Sequence, residues 1–526
     1  MAGNSEFKLT YATMFDPPDE LHTEYEAAVK RVKGELGKDH PMWIGGEDVT
    51  VSEKKENFSP IDTTLLLGTF QRATPQDGQG ALEAAQRAAR DWGRRPWRER
   101  VALVRKAADL ITERIFTFGA VLSLEAGKTR MEALADAAEA AALMQYACDQ
   151  MEANEGFIVE MGKDPLKGYE VTNISKLKPY GVWVVISPFN FPGALTAGPV
   201  GTALVAGNTV VYKPAEDTPW TSRLLAEVFR DAGLPDGVVN YVTGRGSVVG
   251  QALIDNPLTA GVTFTGSVDV GMGIYQSFSR GRYPRPTILE MGGKNPAIVS
   301  RHADLDRAVK GICRSAFGNQ GQKCSAASRI YVEEPVYEEL IGRMVRATEQ
   351  MKIGDPTRKE VFLGPVINQG AYDNFKNFTE ELSQAGEFLT GGKVLTDGDY
   401  GKGYFCEPTI AANIPTDHRL WKYEMFLPIT MVHKIKNLDE GMILANDVDF
   451  GLTAGFYGSP EETTWFFDNI QAGVTYANRP QGATTGAWPR FQPFGGWKGS
   501  GSTGKNAGGH YYLQLYMREQ VNSVIK

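Results

Sequence analysis

Apolar positions recur along the chain in two rhythms. Over residues 78–155 they return every three or four positions, through ALEAAQRAARDW, RERVALVRKAADLITERI and MEALADAAEAAALMQYACDQM. That period predicts packed amphipathic helices, with Gly127 and Gly156 as stop signals. From residue 181 the rhythm changes. The short β-rich runs GVWVVIS, NTVVYK, GVVNYV, VTFTG and PTILEMGG alternate with helical stretches: one through residue 204, one over 218–232, and two starting at 247 and 268. Such alternation predicts βα units and a parallel sheet, which right-handed crossovers make doubly wound. A second alternation starts at NPAIVS and runs through a helix over 305–317, the strand SRIYVEE, a helix over 337–351, and the strands TAGFYG and GVTYAN. A boundary between two units therefore falls near residue 291.

The ends read differently. Residues 1–42 are polar and mixed, with a short helical pattern over 24–36, and predict an extension lying on the surface. After the Gly-rich tract 492–509, the tail YYLQLYMREQVNSVIK alternates apolar and polar positions. It predicts an edge strand added to another subunit.

Composition narrows the class without naming a function. A chain of 526 residues with 42% hydrophobic and 22% charged residues is ordinary globular protein. Glycine is 58 of 526, above the usual ~7%. Tight turns and close backbone approaches are expected. The net charge is −8, with no clustered basic footprint, so no nucleic-acid partner is expected. The acidic start (Glu6, Asp16, Asp19, Glu20) disfavours a transit peptide. The most apolar long stretch, 193–211, carries four Gly, three Thr, Pro199 and Asn208. It predicts a buried helix, turn and strand rather than a membrane span. Cys148, Cys313, Cys324 and Cys406 form no C-x-x-C, as in reduced thiols of a cytoplasm. The six histidines have no metal-site spacing, so no metal is expected.

Several motifs are absent or broken. There is no G-x-S-x-G elbow and no strict G-x-G-x-x-G. The Walker-like run from Gly499 to Lys505 continues with Asn506 where Ser or Thr is needed, and no buried strand precedes it. Three segments carry more. FGNQGQKCSAASR (317–329) sets Cys324 after a Gly-rich turn. ILEMGGKNPAIV (288–299) sets Glu290 at a strand end. SPFNFP (187–192) sets Asn190 at the end of the first strand. With VVYKPAEDTP (210–219), FTGS (264–267), EMFLP (424–428) and PFGGWKGSG (493–501), they make the chain resemble the aldehyde dehydrogenase superfamily from Trp43 onward.

The resemblance implies an α/β fold with three parts. A discontinuous, doubly wound NAD-binding domain takes 43–163 and 181–290, an α/β catalytic domain takes 291–491, and a β-rich oligomerisation flap takes 164–180 and 505–526. It also implies a chemistry. The thiolate of Cys324 adds to an aldehyde. The Asn190 side chain and the Cys324 backbone N–H hold the oxyanion. Hydride passes to NAD, and Glu290 activates the water that hydrolyses the thioester. Lys213 and Glu216 meet the adenine ribose, the Glu216 carboxylate favouring NAD over NADP although Lys213 tolerates a phosphate. Ser267 meets the pyrophosphate, Glu424 the nicotinamide ribose, and Phe426 flanks it. A homodimer or higher homo-oligomer in the cytoplasm is implied too.

Within the superfamily, the N-terminal extension, QKCSAASR and TGA at 485–487 resemble the 1-pyrroline-5-carboxylate dehydrogenase branch. That implies L-glutamate γ-semialdehyde as substrate. Its carboxylate would be held by Ser325 and the N–H groups of Gly486 and Ala487, an anion nest. Its ammonium would face Glu139, a residue that on its own reads equally as part of a solvated helix face. The chain departs from the branch at 488–491 (WPRF) and at Phe189, where Trp is common. Another semialdehyde, or an aliphatic or aromatic aldehyde with NAD or NADP, therefore stays open. A non-catalytic scaffold is disfavoured by the joint presence of Asn190, Glu290 and Cys324.

Overall fold

The computed structural model describes residues 17–163, 165–482 and 488–525. Its frame is two seven-stranded sheets. In the first, the strands Thr287–Glu290, Thr259–Thr265, Val182–Ile186, Thr209–Lys213 and Val239–Tyr241 are parallel. The hairpin of Met42–Ile44 and Glu47–Val49 then joins the sheet antiparallel. Val182, Trp183, Val184 and Val185 are all buried. Apolar side chains on both faces are what a parallel strand covered by helices on each side requires.

In the second sheet, Thr409–Ala412, Ile429–Ile435, Ala327–Glu333, Asn295–Val299, Thr453–Tyr457 and Val474–Ala477 are parallel, with Glu387–Thr390 antiparallel at one edge. Only residues 291–294 link the last strand of the first sheet to the opening strand of the second.

Helices Arg130–Ala153 and Ala194–Ala206 cross against each other on the first sheet. Their contact needs glycine: a Cβ at Gly198 would stand 2.8 Å from the Leu143 side chain, and one at Gly201 would stand 2.5 Å from that of Met144. Gly127, at φ +70°, ends the helix Ile115–Ala126 in the left-handed conformation, as its stop signal implied.

Two expectations gain detail. From residue 17 on, the N-terminal segment lies on the rest of the chain through one face of a helix. Its helix spans Asp19–Lys33 and buries Leu21, Tyr25, Ala28, Val29 and Val32 against Ile115–Ala126. The Tyr25 hydroxyl donates to Ser123 Oγ at 2.6 Å inside that contact. The tail is an edge strand, as expected, and one of its two edges pairs within its own chain. Met517–Ile525 pairs antiparallel with Val171–Pro179 along its whole length, and Ile158–Glu160 forms the third strand. Alternation marks a strand but not the edge it joins. The Gly-rich tract also folds back, with Ser500 O accepting the Met291 N–H at 2.8 Å.

Among the described residues, no helix is long and apolar enough to cross a membrane, and no group of three or more His, Cys, Asp or Glu could hold a metal ion.

Candidate active site

One pocket opens between the sheets. Thr265, Glu290 and Met291 reach it from the strand ends of the first sheet, and Cys324 from the second unit. Helix Arg130–Ala153 contributes Glu139, Leu143 and Tyr146. Phe191, Leu195, Phe494, Tyr512 and Leu513 complete walls that are mainly apolar.

Cys324 stands in this wall because the chain before it reverses sharply. Asn319 and Gln320 take φ of +49° and +56°, and Gly321 follows at +66°. Asn295 then pins the loop, donating to Cys324 O at 2.7 Å and Ala326 O at 2.9 Å while accepting the Thr453 N–H at 2.9 Å. Burial pushes the Cys324 thiol up, and the charges of Glu424 and Glu290 push it further. Its own backbone N–H, facing the sulfur, opposes them. That places one N–H donor beside the nucleophile.

Glu290 is 9% exposed, and one of its carboxyl oxygens has no hydrogen-bond partner. Burial alone raises its carboxyl well above the ordinary range. Glu424 accepts the Gly293 N–H at 2.8 Å. Its carboxyl is pushed up to about 7 by burial, against that hydrogen bond and the nearby Lys294 ammonium. The contact depends on the paired glycines, since a Cβ on Gly292 would come 2.1 Å from Glu424 Oε2. Phe426, at φ +58°, sets its ring edge-on to Phe189 at 5.8 Å.

Asn190 is 4% exposed. Its side-chain amide donates to Gln322 O at 3.1 Å, two residues before the cysteine. An amide carries two N–H groups, and this bond engages one of them; Asn190 itself is not among the residues lining the pocket.

A second cluster gathers at the strand ends of the first sheet. Lys213 is buried, donates to Pro214 O at 2.7 Å, and is pushed down to about 8 by burial against the pull of Glu216. Glu216 Oε1 lies 3.4 Å from Arg72 Nε, an ion-pair distance at which neither buried atom gains a hydrogen bond. Ser267 is exposed at the start of helix Val268–Ser279 and makes no capping bond to it. The helix N–H groups and the hydroxyl are thus left for an anion. An orphaned carboxylate oxygen after strand Thr209–Lys213 and an uncapped helix start after strand Thr259–Thr265, at the same end of the sheet, fit a ribose hydroxyl and a pyrophosphate, as in NAD.

The profile of the aldehyde dehydrogenase family matches residues 47–522. The chain belongs to the aldehyde dehydrogenase family.

A 1-pyrroline-5-carboxylate dehydrogenase of Geobacillus sp. (strain WCH70) is 39% identical over 505 residues, 95% of each chain. The Bacillus mycoides protein of that name is 38% identical over the same length, again 95% of each. The solved 1-pyrroline-5-carboxylate dehydrogenase from Thermus with bound NAD superposes with a TM-score of 0.92 at 33% identity, covering 99% of this chain and 100% of that one. Proline utilization A from Bdellovibrio bacteriovorus superposes at 0.90 and 34% identity over 95% of this chain, which spans 51% of that longer protein.

In this aldehyde dehydrogenase, Cys324, Glu290 and Glu139 line one pocket. Glu139 is 3% exposed, so its helix face is buried rather than solvated. Ser325 is buried beside the nucleophile and is not among the lining residues; its carbonyl accepts from Thr453 Oγ1 at 3.3 Å. Gly486 and Ala487 lie outside the described residues. Phe491, in the 488–491 run where the chain departs from the branch, is 81% exposed and is not among the residues lining the pocket. The apolar wall of Leu143, Tyr146, Phe191 and Leu513 was missed, because such residues at helical spacing read as ordinary core.

Proposed function

We propose that this aldehyde dehydrogenase oxidises L-glutamate γ-semialdehyde, formed from 1-pyrroline-5-carboxylate, to L-glutamate in proline catabolism, with NAD as acceptor. The observation that carries the reading is the meeting of Cys324, Glu290 and Glu139 in one pocket, within a chain similar over nearly its whole length to proteins named for that activity.

Cys324 loses its proton to solvent water, and its sulfur bonds to the aldehyde carbon, forming a thiohemiacetal. The other N–H of the Asn190 amide and the Cys324 backbone N–H receive the oxyanion. The oxyanion collapses, the carbon loses its hydrogen as hydride, and a thioester remains on Cys324. Lys213, Glu216, Ser267, Glu424 and Phe426 would hold NAD, which supplies the ring that accepts hydride. Glu290 then takes a proton from water, which attacks the thioester and releases glutamate and the thiol. Ser325, with Gly486 and Ala487, holds the substrate carboxylate, and Glu139 takes the ammonium. We place the enzyme in the cytoplasm as a homodimer or larger homo-oligomer. The exposed apolar residues Ile158, Val159, Val521, Val524 and Ile525 of the three-stranded sheet support assembly.

A second reading, the same chemistry on an aliphatic or aromatic aldehyde, is favoured by the apolar walls. Comparing kcat/KM for glutamate semialdehyde with those for propanal and an aromatic aldehyde decides between them. A preference for the neutral substrates would overturn the first reading.

A further inference from the structure

Behind the pocket lies a fully buried ion pair with no part in the steps above. Lys128 Nζ stands 3.3 Å from Asp136 Oδ2, with both side chains wholly inaccessible. Burying two charges is expensive, and such a pair is weak evidence of stability by itself. Its contacts point to another use. Lys128 Nζ donates to the backbone carbonyl of Asn190 at 2.6 Å and sits 3.5 Å from the ring centre of Phe191. Asp136 Oδ1 accepts the N–H of Ala194 at 2.7 Å. The segment 190–194 is thus gripped at its start by the cation, under its second residue by the same cation, and at its end by the anion.

The grip continues to the nucleophile. Asn190 Nδ2 and Asn319 Nδ2 both donate to Gln322 O, at 3.1 and 3.2 Å. The Asn319 N–H donates to Glu132 Oε1 at 2.7 Å. Glu132, Asp136 and Glu139 follow each other at spacings of four and three along the helix Arg130–Ala153. That spacing puts them on one face. One helix face therefore reaches the cysteine loop through Glu132, the Asn190 segment through Asp136, and the pocket through Glu139.

We propose that the Lys128–Asp136 pair is a positioning element that holds the Asn190 amide in register with Cys324. Neither member of the pair lines the pocket and both are inaccessible, so it acts through Asn190. The proposal rests on the dehydrogenase reading and adds to it the group that orients the oxyanion donor. An ammonium is suited to this, because it clamps the Asn190 backbone carbonyl and leaves the side-chain amide to meet the cysteine loop. A displacement near 1 Å is enough to cost about 10²-fold in rate.

The test is a double-mutant cycle read by single-turnover NADH formation. Lys128→Met should lower the acylation rate about 10²-fold, and Asn190→Ala about 10²–10³-fold. The double variant should be no slower than Asn190→Ala. NAD affinity and the KM for aldehyde should stay within about threefold of wild type. If Lys128→Met leaves a lone buried carboxylate and fails to fold, Lys128→Met combined with Asp136→Asn keeps the Ala194 hydrogen bond without an unpaired charge. The same cycle is then run on that background. Losses that multiply, or a Lys128 variant with the wild-type rate, would overturn the positioning role alone. An inactive wild type would overturn the dehydrogenase reading and this one with it.

Discussion

Glu290→Gln separates two roles that burial gives one carboxyl. The side chain is 9% exposed at the end of strand Thr287–Glu290, with one oxygen unpartnered, so an amide of the same shape fits. As a base, Glu290 is worth ~10²–10⁴-fold, or about 2.7–5.4 kcal/mol of barrier at 1.36 kcal/mol per decade. Removing it should slow deacylation by that factor while hydride transfer survives. In a rapid-mixing experiment, one NADH per active site should form at close to the wild-type rate. Intact-mass analysis of quenched samples should then find an acyl group on Cys324. Stability should move the other way. The folded-state pKa is raised, so between the unfolded and folded values the native carboxyl holds its proton while the unfolded one has lost it, and the ionised form that acts as base gains as pH rises toward the folded value. The Glu290 contribution to wild-type stability is thus full below the unfolded value of ~4.3 and is lost as pH rises toward the folded pKa. Gln carries no such term, so the Tm of the variant should gain on wild type as pH is raised from 4 to 8. Wild-type steady-state turnover with no acyl-enzyme would refute the base assignment. A Tm difference independent of pH would refute the burial argument.

Other perturbations are simpler. Cys324→Ser should abolish turnover and leave NAD binding intact by calorimetry, since a hydroxyl is scarcely ionised near neutral pH. Ser variants of Cys148, Cys313 and Cys406, whose thiols are buried and pushed up by desolvation, should remain active. Ser325→Ala should cost one charge-assisted hydrogen bond, ~1.5–3 kcal/mol or roughly 10- to 150-fold in kcat/KM, for glutamate semialdehyde and less than about threefold for propanal. Equal losses on both would assign Ser325 to supporting Cys324. Glu216→Gln should shift the ratio of NADP to NAD kcat/KM upward by about tenfold or more, because the carboxylate that repels a 2′-phosphate is gone and Arg72, 3.4 Å away, keeps only its pair with Glu53 and can meet the phosphate. An unchanged ratio would remove Glu216 from cofactor selection.

Periodicity alone determined much of this protein. Parallel strands buried on both faces must be continuous apolar runs, and helices between them must carry a 3.6-residue stripe, so the βα alternation was legible without coordinates. Cys324, Glu290 and Asn190 were singled out by the family resemblance of their motifs rather than by period, since a lone Cys or Glu reads as core or surface; the fold brings Cys324 and Glu290 to one pocket. The short strands Met42–Ile44, Glu47–Val49 and Glu387–Thr390 were not legible, since three or four residues cannot show a period. Nor was the partner of the C-terminal strand, because alternation specifies a face and not a neighbour. The burial of helix Asp19–Lys33 and of Glu139, and the ion pair of Lys128 with Asp136, were settled only by tertiary packing. Whether a charged residue on a helix faces water or a carbonyl depends on what the rest of the chain lays against it. That is a property of contacts between distant segments, which no local pattern encodes.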